Sequence, residues 1–432
     1  MGEQQMKRAR HSGADAEGVA RVLPLFAGES ALFYDLDAFE QTLLALQRAF
    51  PPHFRHTLAV KANPLPAMLR LAVEGFGFGL ECASLPEVEL SLRAGCAPGL
   101  VMFDSPCKTV ADLRRALEAG VQINCDSFDE VERVARLLGG AASASAVAVR
   151  INPLLGFGAI RALSVSDPAS KFGVPLTAEN EAELVALFAR HRFLTGLHVH
   201  VGSQGCSLDM LAAGASAVLA LARKLERCTL LDLGGGLPTN FASDACTPTF
   251  AEYARVMQEK APELFLPDCK FTCFTEFGRA VHAKIGWAVS RCEYVKLAER
   301  TRIAVIHFGS DMFLRTCYVP DQFALRVQVF DKDTCEQKTK ALDAGWTQNV
   351  VGPLCFGGDK LVDSAVDLPE IGEGDFVVVR DAGANCLSLW SRHCSRASPE
   401  VIGYRIAPHS GEVTFTQLRK RETLEHVLSF WE

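Results

Sequence analysis

Several things are missing from the 432-residue sequence, and each absence excludes something. No apolar run reaches the length needed to cross a bilayer. The N-terminus, MGEQQMKRARHSGADAEGVA, lacks the apolar core of a signal peptide and carries acids that a transit peptide avoids. Gly2 is followed at position 6 by Met6 rather than Ser or Thr, which argues against myristoylation. Basic charge is not in excess: a formal net charge of -7 offers no positive face to nucleic acid or an anionic membrane. Paired cysteines are missing too. The 15 cysteines stand singly, with no CxxC and no zinc-knuckle spacing, as free thiols do in a reducing compartment. The expectation is a cytoplasmic protein with a disordered stub over residues 1–28 and neither nucleic acid nor membrane as partner.

What is present is a regular alternation. After a short strand and helix starting at Ala31, apolar runs recur at 57–62 (TLAVKA), 76–83 (FGFGLECA), 99–105 (GLVMFDS) and 120–126 (GVQINCD). They continue at 146–152 (AVAVRIN), 196–202 (GLHVHVG), 229–235 (TLLDLGG) and 270–276 (KFTCFTE). Helical spacing fills the gaps, as in LPEVELSLRAG and FDEVERVARLL. Eight strands alternating with helices predict parallel βαβ units closed into a (β/α)8 barrel, the TIM barrel, over residues 29–285. Beyond about Gly286 the helical period fades. Strand-like runs at WAVSRCEYVKLA, RIAVIHF, FALRVQVFD and DFVVVRDA predict a mainly antiparallel β domain over 286–432, which the strand near Ala31 could join.

In such barrels the chemistry sits at the C-terminal ends of the strands. Those ends carry Lys61, Glu81, Asp126, Arg150, His200 with Ser203, Gly234 to Gly236, and Glu276 with Arg279. A lysine leaving an apolar strand is costly to bury as a cation, so its pKa is expected to fall, making the amine a Schiff-base nucleophile; the bland alternative is a lysine snorkelling at a strand end. HVH at 198–200 places two imidazoles on one strand face, suited to a metal pair, to stacking on a flat cofactor, or to polar filling of the barrel. Gly234-Gly235-Gly236 lets bare backbone approach an anion, although no Walker or Rossmann pattern surrounds it and a plain turn would look the same. Arg279 suits a phosphate, or equally a local ion pair with Glu276. Gly352 to Asp359 (GPLCFGGD) is a glycine-rich loop carrying Cys355, one thiol among 15.

Together these motifs resemble the fold-type III pyridoxal-phosphate decarboxylases, the group of diaminopimelate and ornithine decarboxylases. VKAN with Lys61, SKFG at 170–173, HVHVGSQ, LGGG, EFGR and GPLCFGGD occur in the family's order, and the resemblance runs from about Ala31 to Tyr404. HVHVGSQ is nearer the diaminopimelate branch. The resemblance implies pyridoxal 5'-phosphate as cofactor, an alanine racemase-like barrel, and decarboxylation of an amino acid, of diamino or related carboxy-amine type, in lysine or polyamine biosynthesis. It implies that Lys61 binds the cofactor aldehyde, with Glu81 beside it. His200 would stack on the ring, Ser203, Gly235, Gly236 and Arg279 would cradle the phosphate, and Glu276 would face the ring nitrogen. Cys355 would protonate Cα and, with Asp359, would reach the active site of a partner subunit, so a homodimer is implied. No metal is expected.

Four departures stand out. Asn385 follows Gly383-Ala384 where the family has a phosphate-contacting Tyr, Phe356 replaces the Glu that reads a distal amine, and Phe277 stands where Pro is usual. Arg315 and Tyr318 resemble that branch's carboxylate-binding pair with the spacing one residue short. The core chemistry reads as retained and the specificity pocket, Arg315, Tyr318, Phe356 and Asp359, as altered. Three other readings compete. A racemase on the same barrel would lack the Cys355–Asp359 loop. A metal-dependent hydrolase would place HxH on the first strand rather than the sixth. A catalytically impaired homologue acting as a binding or regulatory protein would not need Lys61, His200, Arg279, Cys355 and Asp359 together.

Overall fold

Short apolar segments ending in a capping residue are what turn this chain from strand to helix. The computed structural model describes residues 16–432 and divides them into two units. One comprises 42–239 and 246–281; the other comprises the chain up to residue 41, 240–245 and 282–432. In chain order the strands are β1 (Ser30–Asp35), β2 (Phe54–Ala59), β3 (Gly79–Cys82), β4 (Val101–Asp104), β5 (Gln122–Cys125) and β6 (Val147–Asn152). There follow the two-residue β7 (Val174–Pro175), then β8 (Leu194–Val199), β9 (Leu230–Asp232) and β10 (Thr272–Phe277).

In the first unit β5, β4, β3, β2, β10, β9, β8 and β6 pair in that order, all parallel, and β6 pairs back onto β5. The eight expected strands therefore close into a barrel, with β7 as a short addition beside β6. The helices that follow the strands start at side-chain N-caps: Ser84, Thr109, Ser127, Thr177, Ser207 and Thr249 each accept a backbone N–H of the first turn. A cavity of about 300 Å³ opens at the N-terminal end of β2 to β4, between Phe54, Arg55, His56 and Phe78. Most of the converging charge lies at the other end.

The second unit is built on β11 (Gly286–Ala298), β12 (Thr301–Ile306), β13 (Val327–Phe330), β14 (Thr347–Val351), β15 (Lys360–Ala365), β16 (Phe376–Val379), β17 (Glu400–Ile406) and β18 (Val413–Arg419). Its sheet runs β15-β14-β12-β11-β1-β17-β18, mainly antiparallel, with β16 pairing β11 and β13. The β1 strand is central: it runs antiparallel to β11 and parallel to β17, and all six residues are buried. Phe33 stacks on Trp287 at 4.5 Å, and Trp287 donates to the Tyr404 hydroxyl at 3.2 Å.

The expected stub corrects in part. Its first 15 residues lie outside the described ones. The rest is not loose: Ala16–Val22 is helical, and Val19, Val22 and Leu23 are fully buried against Phe33, Trp287 and Phe376. Each such burial contributes about 1.5–3 kcal/mol, enough to hold a short segment with weak local helix preference. No described helix is long and apolar enough to cross a membrane, and all 15 cysteines are free.

Candidate active site

The mouth of the barrel gathers charge from nearly every strand. Lys61 lies in the helical turn that follows β2, its side chain half exposed. Its amine donates to both oxygens of Glu81, a fully buried residue of β3. Burial alone would lower the lysine's pKa, but the carboxylates of Glu81, Glu276 and Asp104 outweigh it and hold the amine above its usual range. The sequence argument considered desolvation and not three acids, and this expectation is corrected. Glu81 in turn is raised by burial, against the pull of Lys61, so the pair is suited to passing a proton between them.

Below them lies a polar layer. Arg150 of β6 donates to Asp104 Oδ2 at 2.7 Å and packs over the Phe172 ring at 4.5 Å. Burial opposes ionisation of Asp104, but Arg150, His198, Lys61 and Lys108 prevail and depress it. The SKFG segment thus backs Arg150, and Gly173, at φ 71°, donates its N–H to Asp126 at 3.1 Å. Asp232 of β9 accepts from Asn124 at 2.9 Å and from the Gly234 N–H at 3.1 Å, and burial beside Glu276 raises it well above the ordinary carboxylate range. His200 accepts the Gly235 N–H at 3.3 Å; burial first, then Arg150 and Lys61, depress its pKa and leave a neutral ring. Asp104 and Asp232 were not singled out from sequence, although each is the last residue of its strand.

Glu276 is the most unusual group. It is buried near Glu81 and Asp104, and burial, then those two carboxylates, push it up to about 8. Its Oε1 is buried without a hydrogen-bond partner. A site holding that many acids lacks a proton donor at this point, which a protonated aromatic nitrogen supplies. The glycines fit a cofactor as well. A Cβ on Gly235 would stand 1.9 Å from the Glu276 carbonyl, and one on Gly236 2.1 Å from that of Gly202. Gly234 and Gly236 have φ of 66° and 96°. Only bare backbone can pass here, as an anion cradle requires. Ser203 lies in the turn after β8 and Arg279 just after β10, both partly buried.

Residues 36–283 match the pyridoxal-binding domain of the pyridoxal-dependent decarboxylases. The chain belongs to that family. Its cofactor is pyridoxal 5'-phosphate, and it is an amino-acid decarboxylase. It is 30% identical to the diaminopimelate decarboxylase of Pseudomonas aeruginosa over 85% of this chain and 84% of that protein. Identity to the Helicobacter pylori enzyme is 28%, covering 91% and 93%. In fold this decarboxylase is similar to crystalline diaminopimelate decarboxylase from Helicobacter pylori complexed with L-lysine (TM-score 0.80, 23% identity, 95% and 98% covered). It is also similar to the lysine/ornithine decarboxylase of Vibrio vulnificus complexed with cadaverine (TM-score 0.70, 20% identity, 88% and 94% covered).

The other candidate residues lie in the second unit. Cys355 is exposed, and its N–H donates to Cys394 Sγ at 3.5 Å. Asp359 is buried and occupied: it accepts from Ser310 N at 2.6 Å and from Leu354 N at 2.7 Å, which ties the Cys355 loop to the segment after β12. Phe356 stacks on Tyr318 at 5.4 Å. Arg315, on the helix Leu314–Tyr318, sits 5.5 Å from the Phe323 ring, and burial lowers its pKa. Asn385 has φ 56°, a left-handed conformation that asparagine tolerates better than most other residues do.

A pH dependence follows for the apoprotein. Glu276 keeps its proton to about 8 when folded but releases it near 4.5 when unfolded. Between these values the folded state binds more protons, so stability is full below the window and falls as pH rises through it. Melting followed by circular dichroism across this window is expected to show a falling Tm, and Glu276→Gln to flatten the slope. An unchanged slope in that variant would place the titration elsewhere.

Proposed function

We propose that this decarboxylase removes carbon dioxide from a diamino acid in the cytoplasm as a homodimer. The observation that carries the reading is the buried ring of acids around one lysine at the end of β2, with a glycine-only backbone opposite. When bound, pyridoxal phosphate withdraws electrons from the substrate's Cα, which makes loss of carbon dioxide accessible. Lys61 holds the cofactor aldehyde covalently and Glu81 takes or returns the amine's proton. Glu276 keeps the ring nitrogen protonated, and the neutral imidazole of His200 offers its face to the ring. Ser203, Gly235, Gly236 and Arg279 hold the phosphate, with Asn385 in the family's tyrosine position. Cys355 delivers a proton to Cα, and Asp359 positions that thiol by fixing its loop rather than by reaching the substrate.

Arg315 is the reader of a distal carboxylate, with Tyr318 and Phe356 packing on the chain that leads to it. Support for a diamino acid comes from the relatives, which are named for diaminopimelate, lysine and ornithine. Support for a dimer comes from the exposed Leu314, Tyr318 and Val319 on the unit that carries Cys355. The test is carbon dioxide release screened over diaminopimelate, ornithine, lysine, arginine and carboxynorspermidine, with molar mass read by light scattering. Release from none of the five would end the diamino-acid reading. In the same assay Cys355→Ala is expected to keep cofactor uptake and lose turnover by about 10²-fold or to misdirect the product. Normal turnover in that variant would remove Cys355 from the reaction.

A further inference from the structure

Beneath the mouth of the barrel one imidazole lies between two carboxylates. His198 is fully buried on β8, two residues before His200, the residue expected to stack on the cofactor. Its Nε2 lies 3.3 Å from Glu276 Oε2 on β10, and its Nδ1 lies 3.7 Å from Asp104 Oδ1 on β4. Asp104 is anchored in turn through its other oxygen by Arg150 at 2.7 Å. The line Arg150–Asp104–His198–Glu276 joins four separate strands across the interior of the barrel.

These three acid and imidazole side chains also offer ligand atoms within 4.8 Å of one another, the spacing of a metal site. The ring argues against it. Each carboxylate approaches a different nitrogen, and a single ion cannot use both nitrogens of one imidazole. The ring stands against one oxygen of Glu276, although neither ring nitrogen makes a hydrogen bond in this structure; the other oxygen, Oε1, is likewise buried without a partner.

We propose that His198 is a positioning residue: standing against Oε2 of Glu276, with Asp104 and Arg150 behind it, it closes on that oxygen when the cofactor binds and so reserves Oε1 for the protonated ring nitrogen. This rests on Glu276 being the residue that faces that nitrogen. Burial, then Glu81 on β3, Asp104 on β4, Lys61 after β2 and Asp232 on β9, set how readily Glu276 ionises, and the proposed contact would add to them. A histidine that merely filled space would do neither.

The experiment titrates apoprotein with pyridoxal phosphate by equilibrium dialysis and records the bound cofactor's visible absorbance against pH. His198→Gln is expected to weaken uptake about tenfold, the scale of one hydrogen bond to a charged group, and to move the pH profile of the absorbance. In a Glu276→Gln background the same change is expected to add little, because both act on one contact. Wild-type affinity and an unmoved profile in His198→Gln, or full additivity in the double variant, overturns the proposal; so does a loss of apoprotein Tm with affinity unchanged. If His198→Gln does not fold, Asp104→Asn is read by the same criteria. Wild-type protein that takes up no cofactor would instead sink the functional reading and this inference with it.

Discussion

Lys61→Ala protein is expected to release carbon dioxide at least about 10³-fold more slowly than wild type, the scale on which a group that transfers a proton in the transition state contributes. It is also expected to lose the visible absorbance band of the bound cofactor. Two roles end with one side chain. The amine is the nucleophile for the aldehyde, and it is the cation on which Glu81, Asp104 and Glu276 converge. Removing it leaves those buried acids with less positive charge, so they take up protons instead, and the cofactor loses both its anchor and a complementary field. Lys61→Arg separates the roles, because it restores the charge without a usable amine. It is expected to recover apoprotein stability and not turnover. Equal activity in Lys61→Ala and wild type, measured by trapped radiolabelled carbon dioxide, would remove the lysine from the chemistry.

Gly235→Ala is expected to lower stability by about 3 kcal/mol, the upper end of the usual overpacking cost. The added carbon would stand 1.9 Å from the carbonyl oxygen of Glu276, and that obstacle is backbone that cannot rotate away. The strand β10 has to shift, and with it the carboxylate meant for the ring nitrogen. In a domain of this size the loss corresponds to a Tm lower by about 6–12 °C, accompanied by poor cofactor uptake. Gly139→Ala is the matched control. That glycine caps the helix Phe128–Leu138 at φ 56° with nothing within 4 Å of the new carbon, so only the left-handed strain remains, about 1 kcal/mol. Equal melting of the two variants would show that crowding at Gly235 is not what the glycine relieves.

Much of the barrel was legible because its strands are short apolar runs separated by well-capped helices. Each of the eight runs overlaps one observed strand: five contain theirs whole, while β2 and β8 begin up to three residues before their runs and β10 ends one residue after its run. The rule that chemistry sits at strand ends placed Lys61, Glu81, Arg150, His200 and Glu276 on one rim; it also fits Asp104 and Asp232, which were overlooked inside apolar runs. The direction of the Lys61 shift was not legible, since it depends on acids contributed by β3, β4 and β10. The buried helix Ala16–Val22 was missed for a similar reason: its core lies in residues far along the chain, and seven residues carry too little period to show a buried face. In the second unit β14, β15, β17 and β18 were not read as strands. Their burial does not follow a clean alternation, and although β14–β15 and β17–β18 are antiparallel neighbours in sequence, both pairs carry register shifts and are joined by loops longer than a tight two-residue turn.

The central place of β1 bears on how the protein is made. This strand leaves the ribosome more than 200 residues before either of its neighbours, β11 and β17. For most of translation an apolar segment with two open edges must wait, a state prone to wrong pairing and a natural client for a holding chaperone. Chains released before Ile406 would keep one of those edges exposed, so premature termination near the C-terminus should yield aggregates rather than a shortened enzyme.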